Sequence, residues 1–182
     1  MPELPEVETV RKGLAKQLLG GMIAHIELRR EGLRFPFPKD FKEGLEGRRI
    51  EQIDRRAKYL QFRLDDTSIW LVHLGMTGKF TLYSQNDIPE EYGKHDHVIV
   101  TMEDGGVSVY TDHRRFGYMD LIAADEEENH RFFANLGCEP LSDDFDAKAL
   151  CKSLEGKKSP IKTALLDQRV VAGLGNIYVC EI

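Results

Sequence analysis

Hydrophobic and polar residues change their rhythm twice along the chain. Near the start, Val7, Val10, Leu14 and Leu18 recur at helical intervals up to Gly20-Gly21, Pro5 suits the first helical position, and Glu6 and Glu8 favour the positive end of the helix dipole. This spacing predicts a helix that begins almost at the first residue; packed into the fold, it would hold residues 2 to 6 in place. A period of two follows. MIAHIEL, RIEQI, KYLQFRL, SIWLVHL, KFTLY, HVIVTM and VSVYT are short β-rich runs divided by Gly, Pro and Asp, and EDGG at residues 103–106 reads as a hairpin turn. Several strands at such spacing predict a sandwich or barrel. From about residue 125 the pattern turns helical, in EEENHRFFANL, DFDAKALCKSL, SPIKTALLDQRVV and NIYVCEI. GLGN at residues 173–176 is expected to end the third of these and start the fourth, the glycines supplying the turn and Asn176 a capping oxygen. The expected fold is α+β: an N-terminal helix on a two-layer β-sandwich over residues 1–124, then a helical part over residues 125–182. The final helix runs only two turns without a cap, so the sequence is expected to be a truncated chain.

Composition narrows the class. With 182 residues, 41% of them hydrophobic and 31% charged, the chain has the balance of a water-soluble globular protein, long enough for one sizeable domain and part of another. No apolar run approaches the roughly 18 residues of a membrane span, and the acidic, proline-bearing start lacks the basic and apolar regions of a signal peptide, so a cytoplasmic location is expected. Cys138, Cys151 and Cys180 are odd in number and lie 13 and 29 positions apart, neither a disulfide ladder nor a CxxC zinc clamp. Taken as a total, the net charge of -6 disfavours a polyanionic partner, but residues 1–63 carry 14 Lys+Arg against 10 Asp+Glu, whereas residues 125–146 carry eight acids and only Arg131 among Lys and Arg. The acidity is local, and a basic face remains available.

Several segments carry candidate chemistry. Removal of Met1 would leave Pro2 with a free secondary amine; α-amino groups titrate near 8, so an appreciable fraction is neutral and nucleophilic at pH 7. Such an amine attacking an acetal-like carbon forms an iminium and opens an elimination path, with Glu3 and Glu6 placed to exchange protons. A helix start with its cap is the plainer reading of the same residues. RRAKYL sets Arg55, Arg56 and Lys58 at the mouth of a strand, either to meet phosphates or donate a proton, or simply to protect an edge. In HLGMTGKF, Met76 sits in a glycine-flanked turn, costly to expose unless it packs or binds something, and His73 before it reads as a core histidine. YTDHRRFGYMDL places Arg114, Arg115 and Phe116 at another turn, where two cations and an aromatic could replace an extruded base. In KHDH, His95 and His97 are expected on one face of a strand with no third ligand nearby, which fits phosphate contact or packing better than zinc. Lys157, Lys158 and Lys162 in EGKKSPIK suit either a phosphate seat or a solvated basic turn.

Taken together, MPELPEVETVR, RRAKYL, HLGMTG, KHDHV, YTDHRRFG, LGCEPLSDDF and VVAGLGNIYVCE resemble, in order and over the whole chain, the bacterial formamidopyrimidine-DNA glycosylases, 8-oxoguanine DNA glycosylases with AP lyase activity. The resemblance implies a base-excision-repair enzyme that flips an oxidised purine, cleaves its glycosidic bond and nicks the strand by β- and δ-elimination. It implies Pro2 as Schiff-base nucleophile, Glu3 as general acid/base, Glu6 as a supporting carboxylate and Lys58 as proton donor beside a phosphate. Met76, Arg114 and Phe116 would fill the void and meet the estranged cytosine; His95, Arg114 and Lys157 match DNA-binding positions, and His73 and Asn176 look like phosphate contacts. Family members continue for about another hundred residues, completing a helix-two-turns-helix element and adding a four-cysteine zinc finger, so no metal or other cofactor is expected in this chain and weak, slow action on DNA is expected of it alone. The expected partner is double-stranded DNA with oxidised purines or abasic sites, bound by a monomer with no membrane association. Two other readings stand beside this one: an endonuclease VIII-type glycosylase for oxidised pyrimidines, disfavoured by the Met76 and Arg114/Phe116 loops, and a non-catalytic module that binds lesions.

Overall fold

The computed structural model describes residues 2–182. Helix α1, Leu4–Leu18, buries Leu4, Val7, Leu14 and Leu18 on one side, carries Pro5 in its first turn, and has its entry fixed by the Glu3 backbone N–H donating to Glu6 Oε2 at 2.9 Å. It closes at Gly20, whose φ of +79° suits glycine and whose N–H reaches the Ile50 carbonyl at 2.7 Å. The sandwich follows. Its strands are β1 Ile23–Leu28, β2 Ile50–Arg56, β3 Tyr59–Leu64, β4 Ile69–His73, β5 Lys79–Tyr83, β6 Asp96–Met102, β7 Val107–Thr111 and β8 Tyr118–Ile122. They form two four-stranded sheets, ordered β1-β6-β7-β5 and β2-β3-β4-β8, with every neighbouring pair antiparallel.

Alternation builds the core. In β3, Leu60, Phe62 and Leu64 point between the sheets to meet Ile23, Ile26, Val98, Val100 and Tyr110 of the first sheet and Trp70 and Val72 of their own, and α1 closes the layer with Val7, Leu14 and Leu18. Phe62 and Trp70 stack at 4.4 Å between ring centroids. The opposite face of the second sheet carries Tyr59 with Ile69, Leu71 and Ile122, covered by Phe132 and Phe133.

All seven expected strands are present, and two elements were not foreseen: β8, inside YTDHRRFGYMDL, and the short helix α2, Phe41–Leu45, which buries both of its end residues. EEENHRFFANL is not a helix. It is a 3-10 turn at Ala124–Glu126 followed by single turns such as His130 N–H to the Glu127 carbonyl and Phe133 N–H to the His130 carbonyl. Arg63 and Gln61 draw Glu127 onto the sheet with bonds of 2.8–2.9 Å, while Phe132 and Phe133 pack on its aromatic face, so tertiary contacts override the local helical preference. The helices after it are α3 Ala147–Leu154, α4 Ile161–Leu166 and α5 Asn176–Glu181. The expected third helix stops early: a turn closed by the Val170 N–H on the Asp167 carbonyl at 2.9 Å follows α4, and buried Val171 is then bridged in parallel to Cys138.

Candidate active site and nucleic-acid interface

The two ends of the chain meet at Glu3. Its side chain is 2% exposed, and its carboxylate accepts the backbone N–H groups of Gly175 at 2.9 Å, Ile177 at 2.8 Å and Tyr178 at 3.2 Å. An acid 172 residues distant thus supplies the N-terminal cap of α5, satisfying donors that a helix start leaves free. The expected Asn176 cap is corrected: Gly175 occupies the capping position and Asn176 is an exposed first-turn residue. The glycines of GLGN are required for approach. A Cβ on Gly175 would stand 2.3 Å from Glu3 Cδ, and one on Gly173, at φ +90°, 2.6 Å from Leu4 Cδ1, while the Leu4 N–H donates to the Gly173 carbonyl. Pro2 is half-buried and directly precedes this anchor. Any processing of Met1 lies outside the described residues.

The RRAK turn is fastened as firmly. Ala57 adopts φ +53°, a left-handed conformation that a non-glycine residue holds only under constraint. The constraint is Glu139, whose carboxylate accepts the Ala57 N–H and pairs with Arg55 at 2.8 Å and Arg56 at 2.9 Å. Arg55 also reaches Glu8 at 3.3 Å, and Arg56 donates to the Gly137 carbonyl at 2.7 Å. Arg55 and Arg56 therefore brace the protein internally and are not free for phosphate. Lys58 alone of this run turns inward: it is 7% exposed, and burial holds its ammonium below the usual lysine range against the opposing pull of the Glu3 charge.

Lys58 opens onto a cavity of about 320 Å3 lined also by Tyr59, His73, Gln168, Leu174, Gly175 and Asn176. His73 Nδ1 accepts the Gly75 N–H at 3.0 Å, which leaves Nε2 as the protonated nitrogen of the neutral ring. Its ring stacks on Tyr118 at 5.0 Å, and burial, with the Lys58 and Arg34 charges, pushes its pKa down to about 4. His73 thus offers a neutral N–H donor to this cavity. Because the folded pKa of about 4 lies below the usual 6.5, the unfolded chain binds the proton first as pH falls. Stability contributed by the neutral ring is complete above pH 6.5 and is lost between 6.5 and about 4. Urea unfolding across that window should show the protein losing about 3 kcal/mol relative to His73→Gln; parallel curves would refute the assignment.

A second group gathers at two neighbouring loops. Met76 and Phe116 stand 37% and 42% exposed, and the Arg114 guanidinium lies 4.7 Å from the Phe116 ring centre. The loops touch, since a Cβ on Gly75 would meet the Gly117 nitrogen at 2.3 Å. His95 lies beside them with its ring 4.4 Å from His113, its pKa lowered by partial burial and by the neighbouring His113 and Lys94 charges. The expectation that His95 and His97 lie on one face of a strand is corrected: His95 is in the turn before β6 and half-exposed, whereas His97 is in the strand, 1% exposed, with Nε2 2.9 Å from the Asp112 carbonyl. Lys157 is apart from both groups, 3.6 Å from Asp167 after α4. A larger cavity of about 670 Å3 is lined by Arg55 and Arg56 but by none of the residues that the family resemblance assigns a role, and its arginines Arg11, Arg55, Arg56 and Arg63 are matched by Glu8, Glu139, Asp54 and Glu127.

Residues 1–119 match the family model of the formamidopyrimidine-DNA glycosylase N-terminal domain, and residues 136–182 match that of the formamidopyrimidine-DNA glycosylase H2TH domain. The chain belongs to the formamidopyrimidine-DNA glycosylase family. Proteins named formamidopyrimidine-DNA glycosylase from Beijerinckia indica subsp. indica and Acidiphilium cryptum are 49% identical over 185 residues and 51% over 181, each match covering all of this chain and 64% of the relative. Among solved structures, Lactococcus lactis Fpg in complex with abasic-site DNA superposes with a TM-score of 0.87 at 40% identity, covering 98% of this chain and 64% of that one; its complex with FAPY-dG DNA gives 0.86 at 40%, covering 97% and 65%. The chain therefore spans about 64% of the length of the curated relatives it matches. The match over residues 136–182 agrees with the expectation that the helical segment belongs to a helix-two-turns-helix element, of which the sequence suggested the first part. Three residues of this chain were not singled out by sequence reasoning: Glu139, Asp112 and Gln168. Gln168 staples the glycine turn by donating to the Leu166 and Leu174 carbonyls and accepting the Gly173 N–H at 2.9 Å. The one available signal was their position inside LGCEP, YTDHRRFG and the stretch before GLGN.

Proposed function

We propose that this chain is the lesion-processing part of a base-excision-repair DNA glycosylase with AP lyase activity, acting on oxidised purines in duplex DNA. The observation that carries the reading is the burial of Glu3 beneath the α5 start, which anchors the residue directly after Pro2 to the rest of the fold. In the proposed reaction the neutral Pro2 amine attacks the deoxyribose C1′, the glycosidic bond breaks, the departing base takes up a proton and the amine gives up its own; the C1′–O4′ bond then opens with O4′ protonated, and the iminium so formed acidifies C2′–H, whose loss expels the 3′ phosphate, after which loss of C4′–H expels the 5′ phosphate. Glu3 exchanges the proton with the sugar ring oxygen, and Glu6, which holds the Glu3 N–H, supports it. Lys58, desolvated by burial although the Glu3 charge pulls the other way, is readier to give up a proton than a surface lysine and serves as donor during β-elimination. His73 and Asn176 contact phosphate from the shared cavity, Met76, Arg114 and Phe116 fill the space left by the flipped nucleotide, and His95 and Lys157 add backbone contacts.

The division at residues 124 and 125 is proposed as the boundary between catalytic and helical parts. No helix among the described residues is long and apolar enough to cross a membrane, and we propose a bacterial cytoplasmic setting with a monomer meeting the DNA. Zinc has no fitting seat here: among the described residues no group of three His, Cys, Asp or Glu is placed to hold a metal ion, and no step above is routed through one.

Borohydride reduction on an abasic duplex tests the chemistry. Protein processed to a free Pro2 amine should give a covalent adduct, retained in Lys58→Ala, while protein keeping Met1 should give none. Equal trapping of both forms, or of neither, would remove Pro2 as the nucleophile; a form that binds lesions yet never traps would favour the non-catalytic module.

A further inference from the structure

Asp112 is a completely buried carboxylate at the end of β7, 0% exposed, with no Lys or Arg ion-paired to it among the described residues. Burial of a carboxylate is costly unless hydrogen bonds replace its water. Here they come from two different loops. Oδ1 accepts the Thr77 hydroxyl and, at 3.3 Å, the Arg114 N–H; Oδ2 accepts the Gly117 N–H at 2.9 Å. The Arg114 N–H also donates to Thr77 Oγ1 at 3.0 Å, closing a ring of bonds around the carboxylate. Through its backbone Asp112 reaches a third segment, its N–H donating to the His95 carbonyl at 3.0 Å and its own carbonyl facing His97 Nε2.

The surroundings leave the loops little freedom to adjust. Gly75 and Arg115 both hold left-handed backbone angles, φ +62° and +57°, and Gly117 lies so flat on Tyr110 that an added Cβ would fall 1.9 Å from the tyrosine hydroxyl oxygen. The exposed tips Met76, Arg114 and Phe116 make none of these bonds through their side chains; what holds the tips out towards solvent is the buried network behind them. An anchor needed only to finish β7 would not have to bond both loops.

We propose that Asp112 is a positioning residue that locks the Met76 loop and the Arg114–Phe116 loop into one pre-organised insertion unit, so that filling the void in the duplex and reading the opposite base occur as a single event. The inference rests on the glycosylase reading above. Pre-organisation of this kind lowers the ordering cost at binding and leaves the covalent step alone.

Asp112→Asn keeps the volume but turns one acceptor into an NH2 that faces N–H donors, and Thr77→Val removes only the link to the first loop. Incision of oxoguanine duplexes with cytosine or adenine opposite should show KM on the cytosine duplex raised about tenfold in both variants, kcat changed by less than about twofold, and the preference for cytosine reduced. Thr77→Ser should restore all three. Hydrogen exchange of the free protein provides a readout that needs no turnover: the Arg114 and Gly117 amides should be protected in the parent and exchange freely in Asp112→Asn. Loss of kcat with the cytosine preference intact, or protected amides in Asp112→Asn, would overturn the proposal. Failure of the parent protein to trap on abasic DNA would instead count against the enzymatic reading, with the exchange result still deciding whether the loops are locked.

Discussion

Glu3→Ala should unfold the junction between the two ends of the chain as well as abolish trapping on abasic DNA. Three backbone N–H groups, of Gly175, Ile177 and Tyr178, lose an anionic acceptor in a nearly water-free position. Water can partly replace it at an α5 start whose Asn176 and Ile177 are exposed, so the cost is put at about 3 kcal/mol, a large share of an ordinary domain's stability. Thermal unfolding reads the loss, and exchange of those three amides localises it. Gly175→Ala is the reciprocal test, because its methyl would occupy space 2.3 Å from Glu3 Cδ and must displace either the acid or the turn. Its trapping should fall with its stability although no titratable group has been touched. Native stability and trapping in Gly175→Ala would show that the close approach of GLGN to the N-terminus is not used.

Glu139→Ala should have the second largest effect. The carboxylate is the shared acceptor of Arg55, Arg56 and the Ala57 N–H, and Arg55 is only 12% exposed. Breaking a buried pair leaves an uncompensated charge, typically a loss of about 3–5 kcal/mol; the remaining contact of Arg55 with Glu8 places the expectation near the lower end, about 3 kcal/mol. The chemical consequence is more specific than the loss of stability. With its anchor gone, the left-handed Ala57 relaxes and Lys58 leaves its position on the cavity, so strand cleavage should slow more than adduct formation. Glu139→Gln, able to accept but uncharged, should fall between. A variant that cleaves the trapped intermediate at the parental rate would mean that Lys58 does not depend on this turn.

The salt bridges of Glu139 and the cap supplied by Glu3 explain why the two segments of the chain hold one another in register. One acid near the start grips the last helix and one acid of the helical part grips the second sheet. Each contact ends on a turn that carries a proposed catalytic group, Pro2 in the first case and Lys58 in the second. Stability and chemistry are therefore expected to fail together at these two acids, and separately at Asp112, whose bonds stay within the sandwich.

Local rules made much of this protein legible from residue order alone. Period-two alternation in KYLQFRL and its companions decides which side chains face the core whatever the sheet order, and helical spacing with Pro5 decides α1, because both depend on near neighbours in the chain. The resemblance of MPELPEV and GLGNIY to a known family likewise needed only contiguous residues. What residue order left undecided was every relation across long separations. Asn176 was expected to cap its own helix, but a distant acid does so; EEENHRFFANL was expected to coil, but Arg63 and the aromatic face of β3 draw it flat; Arg55 and Arg56 were left open between phosphate contact and edge protection, and Glu139 and Glu8 claim them. A carboxylate has no period and no preferred partner distance along a chain, so only the folded arrangement could select which donors it would meet.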